Sequence, residues 1–291
     1  MIIYRYLCRK NGEAAYARQM RICSLCTRLI AVLQSNFNYY VVIMEQRKNV
    51  AFTPVMGNMK LIYAFVICFA ICACGGNKTK TPEEQKVYNL IIIDESGSMS
   101  RIEEEAVSGL NETFQTIAAA QEEHKQQKHY VSLVTFNGVR IRNVFDRKPV
   151  GKDSLKWDDY HPHTSTPLFD AMGYAIDALR KHVTPKDIVL VTIITDGREN
   201  ASEKYSGKQI KEMVTKLRKR GWVFAYIGTN QDVDAVAEEI GIRSRMEYEH
   251  SKKGVRDMWQ TDKESRKRFY YRSAYYGRSA VDENYEYFDE R

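Results

Sequence analysis

The chain contains no cysteine beyond residue 74. All six cysteines of its 291 residues lie in residues 1–74, so the rest of the chain can hold neither a disulfide framework nor a thiolate metal site. Cys23 and Cys26 have the spacing of half a zinc site, but no second cysteine pair or nearby pair of histidines completes it. We therefore predict no zinc centre.

Most of the chain also lacks net charge. The formal charge of +7 arises in residues 1–74, which carry nine bases and two acids, whereas the remainder holds 35 of each. A domain without a basic excess lacks the electrostatic footprint of a nucleic-acid-binding protein. We predict that the protein binds neither DNA nor RNA.

No apolar run is long enough to span a membrane, which takes about 20 residues. The run at 61–73 follows Lys60 and fits the apolar core of a secretory signal. It ends in Ile71-Cys72-Ala73-Cys74, which resembles a bacterial lipobox whose last cysteine, Cys74, becomes lipidated. We predict an upstream extension outside the working protein (1–58), a signal and lipobox segment (59–74), a linker (75–86) and a membrane-anchored lipoprotein of the cell envelope. The alternative is a cytoplasmic protein with a buried or membrane-associated N-terminal helix.

Apolar strands alternate with helical patterns from residue 87 onward. Strands are predicted at 87–93, 187–195 and 222–227, with amphipathic helices between them. Asn137-Gly138, between two alternating segments, predicts an antiparallel hairpin. We therefore predict an α/β domain over 87–248, a doubly wound and mostly parallel sheet with one antiparallel edge strand and helices on both faces.

The segment 249–291 lacks comparable patterning and is rich in lysine, arginine and tyrosine. We predict a solvated, partly helical tail whose tyrosines pack back on the domain. Interleaved basic and aromatic residues could instead stack on single-stranded nucleic acid, which is the less favoured interpretation.

The first strand ends in a cluster of oxygen-bearing side chains. Asp94, Ser96 and Ser98 follow Ile91-Ile92-Ile93, in a tight loop that contains Gly97. Open α/β sheets bind their ligands at the carboxyl ends of strands. Ligands that are all oxygen suit Mg²⁺ or Mn²⁺.

An enzyme is the less favoured interpretation of this loop. Haloacid-dehalogenase phosphotransferases also begin with an apolar strand and use Asp-x-Asp as nucleophile and general acid, but Ser96 stands in the place of the second acid. Neither a phosphate-binding Gly-x-x-x-x-Gly-Lys-Ser/Thr loop nor a Gly-x-Ser-x-Gly elbow occurs. His161 and His163 could approach the site, although a position in a surface loop suits them better than metal ligation. We predict no catalytic residue.

The Asp94-x-Ser96-x-Ser98 pattern resembles the metal-ion-dependent adhesion site of von Willebrand factor type A domains. That family builds its site from three loops, and the other two follow in order. Thr166-Pro167 matches the threonine loop, and Asp196, at the end of the strand Ile193-Ile194-Thr195, matches the second acid. The family often has glycines just before the threonine, where this chain has Thr164-Ser165.

The resemblance implies both a ligand set and a function. The metal ligands would be Asp94, Ser96, Ser98, Thr166 and Asp196, with the acids acting partly through bound water. The Mg²⁺ or Mn²⁺ ion would accept an Asp or Glu carboxylate from a partner protein, which describes a non-enzymatic adhesion module. Two alternatives stay open: a metal that only ties the three loops together, and a cytoplasmic regulatory or assembly module that works with an ATPase or stress system.

Overall fold

Six strands form one sheet at the centre of the described chain. The computed structural model describes residues 84–151, 159–282 and 284–288. Its strands are β1 (Gln85–Asp94), β2 (Gln127–Phe136), β3 (Ile141–Pro149), β4 (Ile188–Thr195), β5 (Trp222–Gly228) and β6 (Ser244–Glu247). Their order across the sheet is β3-β2-β1-β4-β5-β6. All neighbouring pairs are parallel except β2 and β3, so the predicted fold class is confirmed.

The central strands are buried on both faces. Every residue of β4 and β5 is buried, and so is every residue of β1 from Val87 to Asp94. Branched apolar side chains suit such strands because both faces of a parallel sheet are covered by helices. The edge strand β3 is only partly buried, in keeping with its more polar sequence.

Helices cover the two faces of the sheet. They are α1 (Glu103–Glu123), α2 (Leu168–Arg180), α3 (Gly207–Arg218), α4 (Val233–Glu239) and α5 (Lys252–Tyr276), with short 3₁₀ helices at Gly97–Ile102 and Arg278–Val281. Ile91 and Ile93 of β1 pack in one core with α1 and α5, whereas Leu90 and Ile92 pack in a second core with α2, α3 and α4. This alternation is the expected consequence of a two-residue strand period. No helix in the described part of the chain is both long and apolar enough to cross a membrane.

The predicted hairpin joins β2 to β3. Its turn is closed by Asn137, whose Oδ1 accepts hydrogen bonds from the backbone N–H groups of Val139 (3.0 Å) and Arg140 (3.1 Å). Val139 therefore lies in the turn, with 71% of its surface exposed, and β3 starts at Ile141.

The chain after residue 248 is part of the folded core rather than a solvated tail, although it is helical as expected and its Tyr270 and Tyr287 are buried. Residues 252–276 form α5, whose inner face packs in the core through Val255, Met258, Trp259 and Phe269. The apolar period was hidden because polar residues occupy other buried positions of the same helix. These include Asp262, Ser265, Arg266 and Ser273.

Candidate metal centre

Three loops meet at the carboxyl edge of the sheet. One follows β1 and carries Ser96 and Ser98, the second precedes α2 and carries Thr166, and the third follows β4 and carries Asp196. β1 and β4 are adjacent and parallel, so their ends lie side by side. The loop before α2 is drawn in by backbone hydrogen bonds, from Gly97 N–H to Thr164 O (3.0 Å) and from His163 N–H to Glu95 O (3.0 Å).

Asp94 lies at the base of the site and is fully buried. Its Oδ1 accepts a hydrogen bond from the Ser96 N–H at 2.7 Å, and its Oδ2 accepts one from the Thr195 hydroxyl at 2.6 Å. Tyr160 donates its hydroxyl to the Asp94 backbone oxygen. Both carboxylate oxygens are thus held in place, one by the loop that follows β1 and the other by the last residue of β4.

The serines connect the first loop to the second acid. Ser96 Oγ lies 3.2 Å from Ser98 Oγ, and the Ser98 hydroxyl donates to Asp196 Oδ1 at 2.6 Å. Ser96 and Asp196 are buried, whereas Ser98 is exposed. The site therefore opens to solvent on the side of Ser98.

Thr166 is fixed by Asn200, a residue that the sequence analysis missed. The Thr166 N–H donates to Asn200 Oδ1 (2.9 Å), and the Asn200 N–H donates to Thr166 O (3.2 Å). These two hydrogen bonds hold the threonine loop against the segment that follows Asp196.

Gly197 marks the point where the three loops converge. A Cβ atom at this residue would lie 3.0 Å from Thr166 Oγ1 and 3.8 Å from both Asp94 Oδ2 and Ser98 Oγ. Side chains from β1 and its loop and from the threonine loop therefore lie within contact distance of one point in the third loop. The structure brings together the five predicted ligands Asp94, Ser96, Ser98, Thr166 and Asp196.

Burial disfavours the negative charge of both carboxylates, Asp94 and Asp196. Burial raises the pKa of Asp94 to about 7, against the opposing effect of its hydrogen bonds from Thr195 and Ser96. Burial also raises the pKa of Asp196, which the hydrogen bond from Ser98 and the nearby His250 oppose. His250 Nε2 lies 3.0 Å from Asp196 Oδ2, yet neither atom has a hydrogen-bond partner of acceptable geometry.

This arrangement fits a small divalent cation. Asp196 Oδ2 is a buried acceptor without a hydrogen bond, which is costly unless a ligand satisfies it. The donors around Gly197 are carboxylate and hydroxyl oxygens, which Mg²⁺ and Mn²⁺ prefer. In the part of the chain that the structure describes, no three His, Cys, Asp or Glu side chains are placed so that they could hold a metal ion together.

Glu95 is a second residue that the sequence analysis overlooked. Its side chain is fully buried, accepts a hydrogen bond from the His161 N–H (2.9 Å) and lies 3.6 Å from the guanidinium groups of Arg140 and Arg142. Glu95 therefore connects the first loop to the hairpin and to the segment before Thr166, and it helps to position the site without being one of its predicted ligands. His161 itself is exposed and pairs with Asp159 at 3.1 Å.

A comparison with protein families identifies the family of this domain. The family model of the von Willebrand factor type A domain matches residues 90–258, more than half of the chain. The chain belongs to the von Willebrand factor type A (vWA) family. The matched region ends inside α5, so it includes part of the chain after residue 248. A comparison with curated proteins gave no match.

Several solved structures resemble this vWA chain at low sequence identity. The PilB minor pilin from Streptococcus sanguinis is 11% identical, with a TM-score of 0.45 over 64% of this chain and 62% of the pilin. A von Willebrand factor type A protein from Catenulispora acidiphila is 13% identical, with a TM-score of 0.43 over 65% of this chain and 43% of that one. Manganese-loaded TRAP from Plasmodium vivax is 18% identical, with a TM-score of 0.40 over 58% and 70%. The chain thus spans less than two thirds of the pilin's length.

The vWA assignment also explains an unusual backbone conformation at Thr164. This residue has φ +66°, in the left-handed region that glycine adopts at little cost. The family often has glycine just before the site threonine, and here a threonine adopts a glycine-like conformation instead. Its Oγ1 accepts a hydrogen bond from the Gly138 N–H at 3.0 Å, which helps to hold this conformation.

Domains of this family commonly serve as non-enzymatic interaction modules.

Proposed function

We propose that this vWA domain is a divalent-metal-dependent protein-binding module that captures an acidic side chain of a partner. The observation that carries the proposal is the convergence of Asp94, Ser98 and Thr166 on Gly197, with Asp196 beside them, at the edge of the sheet that opens to solvent. The proposal assigns no catalytic residue to the domain.

Each residue of the site has a defined part in this proposal. Asp94, Ser96, Ser98, Thr166 and Asp196 would hold Mg²⁺ or Mn²⁺, and the bound cation would supply an electrophilic position for a partner's carboxylate. The three hydroxyl groups bring no charge of their own, so they leave the cation's attraction for an anion largely undiminished. Asn200 and Glu95 keep the loops in register without reaching the site's centre.

Calorimetry with Mg²⁺ and with Mn²⁺ tests the metal site. We expect one site per chain, lost in Asp94→Asn and in Asp196→Asn because the replacement amides remove charge while keeping the shape. Ser98→Ala should weaken binding because it removes a hydroxyl ligand. The fold should stay intact because Ser98 is exposed. Asp257→Ala, a change at an exposed acid of α5, is the matched control. Undiminished affinity in both asparagine variants would place the metal elsewhere.

The capture of a carboxylate has its own test. Binding to an immobilised library of peptides, each with a single Glu or Gln at the same position, should favour Glu in Mg²⁺ and show no preference in EDTA. Added salt should matter less than EDTA, because a direct metal–oxygen contact is not screened as a surface ion pair is. A preference for Glu that survives EDTA would contradict the proposal.

We further propose that the domain is anchored at the cell envelope through a lipidated Cys74. This part stands on the sequence 59–74, which lies outside the described residues. Two acyl signals are usually needed for firm anchoring, and a bacterial lipoprotein supplies them. Cys74→Ala should move the protein out of the membrane fraction, and the intact mass of the mature chain should show a start at Cys74 with a lipid attached. Equal fractionation of variant and parent would contradict the anchor.

A further inference from the structure

The edge of the sheet opposite the metal centre, here called the amino edge, is where the parallel strands begin. Gln85 of β1 pairs with Gln127 of β2, Val87 with Ile188 of β4, and Val189 of β4 with Trp222 of β5. The strands therefore start almost level with one another. β1 begins at this edge with Gln85, at the end of the strand opposite Asp94.

An exposed tyrosine patch lies at the amino edge. Tyr271, Tyr275 and Tyr276, in the last turns of α5, are 46%, 64% and 64% exposed. The rings of Tyr271 and Tyr275 lie 4.5 Å apart. The end of α5 is held at the start of β2, because Gln127 Nε2 donates to Ser273 Oγ at 3.0 Å. Three of the five exposed large hydrophobic side chains in the described residues are thus gathered in one place. Such a cluster is uncommon on a surface with no partner.

Exposed basic side chains surround the same edge. Lys128 is the second residue of β2, and the others lie in the turns that precede the strands or at the ends of the helices that lead into those turns: Lys125, Lys181, Lys186, Lys219 and Arg220. Exposed acids occur there too. Glu84 pairs with Lys128 and Glu122 with Lys125, while Glu123, Asp282 and Glu286 line the same cavity as Tyr271. Lys181, Lys219 and Arg220 have no ion pair with a described residue, so this edge offers unpaired cations although the domain as a whole is neutral.

The length of chain before the domain limits where this edge can lie. Ten residues, 75–84, separate Cys74 from Gln85, and a chain of that length spans at most about 35 Å. If Cys74 carries the lipid, as proposed above, residue 84 lies within about 35 Å of the bilayer, so the amino edge is within reach of it. This step rests on the proposed anchor.

We propose that the amino edge docks on an anionic lipid surface, with the tyrosine patch at the level of the headgroups and the basic side chains against their phosphates. Tyrosine favours the membrane interface because its ring is apolar while its hydroxyl remains hydrated. Lysine and arginine near a membrane are attracted by anionic lipids within a Debye length of the surface. Docking in this orientation points the metal centre away from the membrane.

Differential labelling of lysines tests the docking. The full lipidated chain is inserted into preformed phosphatidylcholine vesicles, with or without phosphatidylglycerol, and treated with a membrane-impermeant amine reagent. We expect labelling at Lys181, Lys186 and Lys219 to slow by at least about threefold when phosphatidylglycerol is present, and to recover in high salt. Lys204 and Lys253, exposed lysines outside the amino edge, are the matched controls and should label equally in both kinds of vesicle.

The outcomes separate this proposal from the anchor on which it rests. Unchanged labelling at the amino edge of a chain that sediments with the vesicles would overturn the docking and leave the anchor standing. A chain that does not sediment with them would overturn both.

A photoreactive phenylalanine analogue identifies the occupant in cells. Placed at Tyr275, it should yield lipid adducts, whereas the same group at Tyr174, an exposed tyrosine of α2, should not. Protein or nucleic-acid adducts at Tyr275 in place of lipid would assign the patch to another partner and overturn the proposal.

Discussion

The two faces of the sheet are packed in different ways. On the face covered by α2, α3 and α4, the buried side chains are mostly apolar, with Asp170 of α2 and Gln231, after β5, among the exceptions. On the face covered by α1 and α5, apolar side chains surround a buried polar network. In that network Arg266 and Asp262 of α5 form an ion pair at 3.1 Å, with the two side chains 1% and 0% exposed.

The network ties α5 to the sheet and to the end of the described chain. Arg266 donates to Thr192 Oγ1 of β4 at 2.9 Å, and the Tyr287 hydroxyl donates to Asp262 Oδ1 at 2.8 Å. The Tyr270 hydroxyl donates to Asn89 Oδ1 of β1 at 2.6 Å. An apolar face tolerates many shapes of similar volume, whereas a buried network is stable only when every member has its partner. The two faces should therefore respond differently to substitution.

The largest effect should come from breaking the network at Asp262. Asp262→Ala leaves the Arg266 guanidinium buried without its carboxylate, and we expect a loss of about 3–5 kcal/mol in the free energy of unfolding. Denaturant unfolding of the full chain measures it. Asp257→Ala, at an exposed position of the same helix, should change stability by less than about 0.5 kcal/mol.

A second variant separates the charge from the packing. Replacing the pair together, as Asp262→Leu with Arg266→Met, should cost less than Asp262→Ala alone, because no unpaired charge is left behind. An Asp262→Ala variant that is as stable as the parent would show that the network does not hold α5.

A smaller effect should appear as the pH is lowered, and it concerns His129 on the same face. Burial lowers the pKa of His129 to about 3. The unfolded chain takes up a proton near pH 6.5 and the folded chain does not. The contribution to stability is therefore complete above pH 6.5 and is lost as the pH falls toward 3, at roughly 1 kcal/mol per pH unit.

The pH dependence of unfolding in His129→Gln checks this assignment. The variant should lose stability less steeply than the parent between pH 6.5 and pH 5. His182→Gln, at an exposed histidine, should keep the parent's slope. Identical slopes in parent and His129→Gln would mean that another group causes the acid sensitivity.

The smallest effect should occur on the apolar face. Ile176 of α2 is fully buried there, and Ile176→Val removes one methylene group for a loss of about 1 kcal/mol. Tyr174→Phe, at an exposed position of the same helix, should be nearly neutral. A loss for Ile176→Val as large as that for Asp262→Ala would show that both faces are equally intolerant and would remove the contrast between them.

The same contrast explains which parts of the fold could be predicted. The strands around Ile91 and Ile193 and the helix of Leu168 stand out because continuous or periodic apolar residues fill them. The helix α5 was missed because Asp262 and Arg266 occupy positions that a pattern search expects to be apolar. The two residues pair with each other within the helix, but their other partners include Thr192, far along the chain, and a sequence pattern carries no information on such partners.

The candidate site divides in a similar way. Asp94, Ser96, Ser98, Thr166 and Asp196 follow a recognisable order of motifs, so the structure places together residues that the sequence had already singled out. The residues that hold the loops were not anticipated. Asn200 and Glu95 act on backbone groups of other loops, and backbone hydrogen bonds of this kind leave no motif.

The path of β1 through the domain has a mechanical consequence. This strand is connected at its start to the residues that precede the domain, and at its end to the loop of Ser96 and Ser98. A force applied between residue 84 and a partner held at that loop acts along the strand. It would shear β1 against β2 and β4, which flank it in parallel over most of its length. Hydrogen bonds loaded in shear share the tension and must break together, whereas those at an unzipped edge break one by one. The sequence places four consecutive branched apolar residues, Leu90 to Ile93, in the element that would bear the load.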